Sequence, residues 1–103
     1  MTLGELIERL EGADPTLVMR RGWLEPCSDR GNYHDLAFVQ AENVTVGQML
    51  AAAKGAVGQT FQGWKGGDYT MKEWTDVKVT VEERVPGEDI SHLLLDLMLG
   101  HQS

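Results

Sequence analysis

The sequence predicts an α+β fold in which a small antiparallel sheet of about four strands carries helices mainly on one face. Apolar residues recur at helical spacing near the start, the middle and the end of the chain. The segments between them show the alternation and the β-branched residues that are typical of strands. The predicted element order is therefore α-β-β-α-β-β-α. At 103 residues, the chain is long enough for one compact domain that spans residues 1–103.

The first helix is predicted from a capping-box pattern in Thr2-Leu3-Gly4-Glu5. Apolar residues then follow at helical spacing up to Leu10, with acidic residues between them. Gly12 and Asp14-Pro15 predict its end.

Two strands are predicted next, from Thr16 to Trp23 and from Asp35 to Gln40. The segment between them, Leu24 to Tyr33, is rich in turn-forming residues and is predicted to be a loop. Because the two strands are neighbours in sequence, we expect them to pair with each other.

The second helix is predicted to begin at another capping box, Thr45-Val46-Gly47-Gln48, and to end before Gly58 as the C′ residue. Residues 60–64 and 69–72 then flank a glycine-rich hairpin tip or a broad turn. Strict alternation predicts a strand over residues 75–81, which Pro86-Gly87 breaks. A short helix follows from Ile90 and ends at Gly100.

The charge distribution favours a small anionic ligand over nucleic acid. A net charge of −7 argues against direct nucleic-acid binding, which needs a basic stripe. Between Asn43 and Lys72, however, three lysines stand against Asp68 alone, and three arginines cluster earlier in the chain. An acidic surface with a basic patch fits a small anion. For the acidic residues alone, the alternative interpretation is a solvated surface that binds no partner.

No feature predicts export or a membrane. Cys27 is the single cysteine, so no intramolecular disulfide is expected. No segment has the pattern of a signal peptide or of a transmembrane span. We therefore expect the protein in the cytoplasm, with no membrane partner.

Two segments, residues 28–35 and 61–69, interleave glycine, a cation and aromatic rings. Glycine lets backbone N–H groups approach a ligand, cations neutralise phosphate, and rings stack on a base. The predicted ligand-binding residues are Arg30, Gly31, Tyr33, Trp64, Lys65, Gly66, Gly67 and Tyr69.

Each segment also has a purely structural interpretation. Arg30 in a surface loop can pair with Asp29 or Asp35. The second segment can be a hairpin in which the glycines take positive φ and Trp64 pairs with Tyr69 across the strands. It is not a Walker loop, because the glycine spacing and the Ser/Thr after the lysine are missing.

No catalytic residues, metal ligands or cofactors are predicted. Cys27, His34 and Asp35 suggest a nucleophile, a base and an orienting acid. On a strand, however, the neighbours His34 and Asp35 would point to opposite faces. The histidines also lack the spacing of metal ligands.

The C-terminal helix is apolar nearly all round, through residues 93–95 and 97–99. Either it is sunk into the core, or one side forms an interface between copies of the chain. We expect a homo-oligomer, because a core of this size does not easily enclose a terminal helix.

The chain resembles a group of small, largely uncharacterised proteins encoded by tailed bacteriophages and some bacterial genomes. The shared motifs are Ser-x-Arg-Gly-x-Tyr-x-Asp-Leu-Ala-Phe at residues 28–38, Thr-Val-Gly-x-Met-Leu at 45–50, Gly-x-Lys-Gly-Gly-x-Tyr-x-Met at 63–71 and Gly-Glu-x-Ile at 87–90. This chain has Cys27 and Asp29 where the group has His and Tyr, and Trp64 where Tyr is commoner. The resemblance implies a phage accessory protein, acting in the cytoplasm of an infected bacterial host, and implies no activity.

The leading hypothesis is a non-enzymatic anti-defence protein that sequesters a nucleotide-like signal without turning it over. One alternative is an acidic inhibitor that binds a host defence nuclease or a nucleic-acid-binding complex. Another is a small enzyme that processes a nucleotide through His34, Asp35 or Asp68.

Overall fold

The computed structural model describes residues 1–32, 34–62, 67–82 and 85–100. It confirms the α+β class, and the element order follows the predicted one with two short strands added. The elements are α1 (Leu3–Glu11), β1 (Val18–Ser28), β2 (Leu36–Thr45), α2 (Val46–Ala56), β3 (Thr60–Gln62), β4 (Asp68–Thr70), β5 (Val77–Thr80), β6 (Glu88–Asp89) and α3 (His92–Gly100).

The main sheet has four strands, in the order β1-β2-β5-β6, and it is mixed rather than wholly antiparallel. β1 pairs with β2 antiparallel, as expected for sequence neighbours, and β6 pairs antiparallel with β5. β5 runs parallel to β2, from Leu36 opposite Val77 to Val39 opposite Thr80. The parallel pairing follows from the connection, because α2 and the β3–β4 hairpin carry the chain back before β5 begins.

β1 is longer than predicted, and part of the expected loop belongs to it. The register slips between Trp23 and Pro26, which places a bulge in the strand. Proline is compatible with a bulge on an edge strand, because no ladder hydrogen bond is then needed from it. The residues from Leu24 to Ser28 are therefore strand, and the loop begins at Asp29.

Both capping boxes are confirmed. The Thr2 hydroxyl accepts from the Glu5 N–H at 3.2 Å, and the Glu5 carboxylate accepts from the Thr2 N–H at 2.9 Å. Thr45 and Gln48 repeat this arrangement at 3.1 and 2.8 Å, so Thr45 ends β2 and caps α2 at the same point. Gly58 follows α2 with φ of +80°, as predicted for its C′ residue.

The hydrophobic core joins all three helices to the sheet. Trp23 and Phe38, on neighbouring strands, pack with ring centroids 4.2 Å apart. Leu95 is fully buried, so α3 does insert one side into the core. The other fully buried large side chains are Leu3, Leu6, Leu10, Met19, Leu36, Val46, Met49, Met71 and Ile90.

Gly22 on β1 lies close to Val44 of β2 and to Met49 of α2. A Cβ added there would lie 2.4 Å from Val44 Cγ2 and 3.0 Å from Met49 Sδ, and both neighbours are buried. A β-carbon at this position therefore has to displace packed side chains.

We predict that Gly22→Ala lowers the free energy of unfolding by about 1–3 kcal/mol, the usual cost of overpacking. Gly55→Ala in α2 is the matched control, because a Cβ there would meet nothing within 4 Å. It should raise the free energy of unfolding by about 0.5–1 kcal/mol, since alanine favours the helix. Urea denaturation of both variants measures this, and equal effects would contradict the close approach.

Candidate functional site

A buried carboxylate holds the first predicted segment in place. Asp29 is only 1% exposed. Its Oδ1 accepts the Gly87 N–H at 2.8 Å, and its Oδ2 accepts the Asn32 N–H at 2.9 Å. The same Oδ2 lies 3.4 Å from Lys78 Nζ. Asp29 therefore fastens its own loop both to β5 and to the residue that precedes β6.

Lys78 is shared among carboxylates. Its Nζ also lies 3.3 Å from Asp35 Oδ2 and 3.9 Å from Asp89 Oδ1. Burial by itself lowers the pKa of Lys78, but the charges of Asp29 and Asp35 and their hydrogen bonds outweigh it and raise that pKa above its ordinary 10.5. While the carboxylates are ionised, the stabilisation that this raised pKa contributes is therefore present below pH 10.5 and is lost as the pH rises above it.

The loop is also folded on itself. The Asp29 N–H donates to the Asp35 carbonyl at 2.9 Å, and the Asp35 N–H donates to the Asn32 carbonyl at 2.9 Å. The Asn32 side chain accepts from the His34 N–H at 3.2 Å, which is an Asx turn. These bonds give the described part of the loop, residues 29–32 and 34–35, a defined backbone.

Gly31 lies in this loop between Asp29 and Pro86. An added Cβ would lie 3.3 Å from Asp29 Oδ2 and 3.3 Å from Pro86 Cβ. Close packing therefore explains why a glycine is suited to this position, and the explanation does not require a ligand at its N–H. Arg30, beside it, is half-buried.

The described residues of the second predicted segment lie in or beside the paired strands β3 and β4. Phe61 pairs with Tyr69 across the two strands. Gly67 has φ of +85°, as the structural interpretation of this segment expects, and a Cβ there would lie 3.8 Å from the Tyr69 hydroxyl. Four of the predicted ligand-binding residues, namely Tyr33, Trp64, Lys65 and Gly66, lie outside the described residues.

The two segments meet within one subunit. The His34 and Tyr69 rings contact each other edge-on, with centroids 4.6 Å apart and planes at 79°. We call this meeting point of residues 28–35 and 61–69 the two-loop junction. His34 was not among the predicted ligand-binding residues. The signal in the sequence that could have identified it is its position inside the first of the two segments rich in glycine and aromatic residues.

Asp35, a candidate acid in the sequence, is ion-paired with Lys78. Within the ranges that the structure describes, no cluster of three or more His, Cys, Asp or Glu side chains is arranged to hold a metal ion. Over the same ranges, no helix has the length and apolar character needed to cross a membrane.

A separate recess of about 390 Å³ lies where β5 ends beside β2 and contains none of the predicted residues. It is lined by Arg21 on one strand and by Glu42 directly opposite on the next. The recess therefore carries one charge of each sign.

Comparisons of the chain with protein families, with curated proteins and with solved structures found no match. The candidate site therefore depends on the geometry and the chemistry of this chain.

We predict that Asp29→Asn lowers the free energy of unfolding by about 2–3 kcal/mol, because it removes the buried charge that pairs with Lys78 and takes the acceptor from one of the two N–H donors. Asp89→Asn is the control, since it removes a carboxylate from the same lysine at a position that is 78% exposed. It should cost less than about 0.5 kcal/mol. Urea titrations of the two variants test this, and similar losses would show that Asp29 does not anchor the loop.

Proposed function

We propose that this protein binds a small anionic, nucleotide-like ligand at the two-loop junction and holds it without turning it over. The observation that carries the proposal is the contact between the His34 and Tyr69 rings. Because of it, the two segments with ligand-binding composition adjoin in one subunit.

The described side chains divide the recognition between charge and stacking. Arg30 provides a guanidinium for phosphate, and the rings of His34 and Tyr69 form a wall for a base. Tyr33, Trp64, Lys65 and Gly66 are assigned to the same site from sequence, together with Gly31 and Gly67 for backbone contacts. The anchoring of the first loop by Asp29 supports tight binding, because less ordering is needed when the ligand arrives.

Sequestration fits the chemistry better than turnover. A nucleotide-processing enzyme needs an activated nucleophile or a general base. The carboxylate of Asp35 is instead committed to Lys78. With the motifs that resemble phage proteins, this supports an anti-defence role in the cytoplasm of an infected bacterium, where the ligand would be an immune signal.

We also propose that the protein self-associates through α3. Leu93 is 70% exposed and Leu97 is 51% exposed, although Leu95 between them is fully buried. Residues four apart lie on one side of a helix, so the two leucines form an exposed apolar strip. The α3 helix of a second copy has the same apolar strip, and we propose that the two strips pack against each other.

We predict that one class among mono-, di- and cyclic nucleotides and ADP-ribose derivatives raises the Tm of the purified protein by several degrees. A ligand at ~100 times its dissociation constant stabilises a fold by about 2.7 kcal/mol. Arg30→Ala, Tyr69→Ala and Lys65→Ala should each abolish most of that shift.

The control for this screen is Lys72→Ala, which removes an exposed lysine that follows the hairpin. It should leave the ligand-induced shift unchanged. A flat response across the panel, once co-purified ligand is excluded, would overturn the proposal, as would a shift that survives in Arg30→Ala and Tyr69→Ala.

For self-association, we expect the molar mass from light scattering to exceed that of one 11.4 kDa chain. Leu93→Asp should return it to the monomer value, because a charge replaces part of the apolar strip. Val81→Asp introduces the same change at a valine that is 61% exposed outside α3 and should keep the oligomer. A monomeric wild-type protein would refute self-association.

A further inference from the structure

Trp74 is the most exposed large apolar side chain among the described residues, at 75% exposure. Trp23, by contrast, is fully buried in the core. Tryptophan carries a large apolar surface and is enriched among the residues that dominate the energetics of protein interfaces. Burial in the core therefore does not explain a tryptophan at position 74, and an interface with a partner would.

The turn that carries Trp74 is rigidly built. The Lys72 N–H donates to the buried Thr75 hydroxyl at 2.9 Å, and the Thr75 N–H donates back to the Lys72 carbonyl at 3.0 Å. The first turn of α1 fixes the same segment, because the Gly4 N–H donates to the Glu73 carbonyl at 2.8 Å. The backbone is thus held by several hydrogen bonds while the indole stays in solvent, an arrangement that limits the entropy lost on binding.

The surroundings of Trp74 are acidic. Glu73 and Asp76 flank it in sequence, and both are exposed. Gly4 packs against Glu73, and Glu8 lies one helical turn further along the same side of α1. In the part of the chain that the structure describes, none of the three carboxylates has an ion-pair partner. Lys72 is the single cation of the turn.

We propose that Trp74, with Glu8, Glu73 and Asp76, forms a docking surface for a basic segment of a partner protein. An arginine of that segment stacks on the indole, and the carboxylates pair with its guanidinium and with neighbouring cations. Charge complementarity selects this occupant, since an unpaired acidic patch repels an acidic one. If the protein is an acidic inhibitor of a host protein, this surface is where we expect the host protein to bind. The proposal does not depend on ligand binding at the two-loop junction.

The test measures the dissociation constant of a short oligo-arginine peptide, with oligo-lysine and oligo-glutamate peptides of equal length beside it. Trp74→Ala should weaken oligo-arginine binding about ten-fold, because the stacking is lost. Trp74→Phe should restore part of the affinity. Oligo-lysine should bind more weakly than oligo-arginine, and oligo-glutamate should not bind.

A pair of charge variants separates docking from general attraction to an acidic protein. Glu73→Gln and Glu42→Gln each remove one exposed carboxylate that has no ion pair among the described residues. Glu73→Gln should weaken oligo-arginine binding several-fold, and Glu42→Gln should leave it nearly unchanged.

Equal losses in the two glutamate variants, or unchanged binding in Trp74→Ala, would overturn the proposal. A change of molar mass in Trp74→Ala would also overturn it, by showing that the surface is a contact between copies of the chain. An unchanged Tm in each variant establishes that the fold is intact.

Discussion

The buried carboxylate of Asp29 is the constraint on which the candidate site depends. A carboxylate that is 1% exposed is tolerated only because two backbone N–H groups and the Lys78 ammonium satisfy it. Those partners come from three places in the chain, so the charge fixes the first loop against both β5 and the residue before β6. Asp29 therefore shapes the loop while it lies out of contact with solvent.

The proposed anion site lies in a chain with a net charge of −7, so the pairing of the nearby carboxylates matters. Asp29 and Asp35 are paired with Lys78, which reduces their repulsion of an anion at the neighbouring Arg30. Near Trp74, by contrast, the carboxylates of Glu8, Glu73 and Asp76 have no ion-pair partner among the described residues. The two proposals therefore concern ligands of opposite charge at separate places in the chain.

Local signals predicted the helices well, and long-range pairing limited the rest. Capping boxes at Thr2 and Thr45 placed the starts of α1 and α2 because they depend on side chains only three residues apart. Pro26 suggested a loop where the structure has a bulged strand. A strand accepts proline when it lies at the edge of a sheet, and local sequence does not show which strand lies at the edge. The parallel pairing of β2 with β5 is equally invisible in local sequence. The composition of the two segments indicated the candidate site, but the partnership of Asp29 with Lys78, far along the chain, had no local signal.

The most direct measurement is an NMR search for nuclear Overhauser effects between the ring protons of His34 and Tyr69. The search is made in the wild-type protein and in Asp29→Ala. A mixed sample of labelled and unlabelled chains then distinguishes contacts within a subunit from contacts between subunits. We expect intrasubunit effects in wild type, because the rings lie 4.6 Å apart, and a marked loss in Asp29→Ala. Absence of the effects in wild type, or effects between subunits only, would contradict a two-loop junction built within one chain.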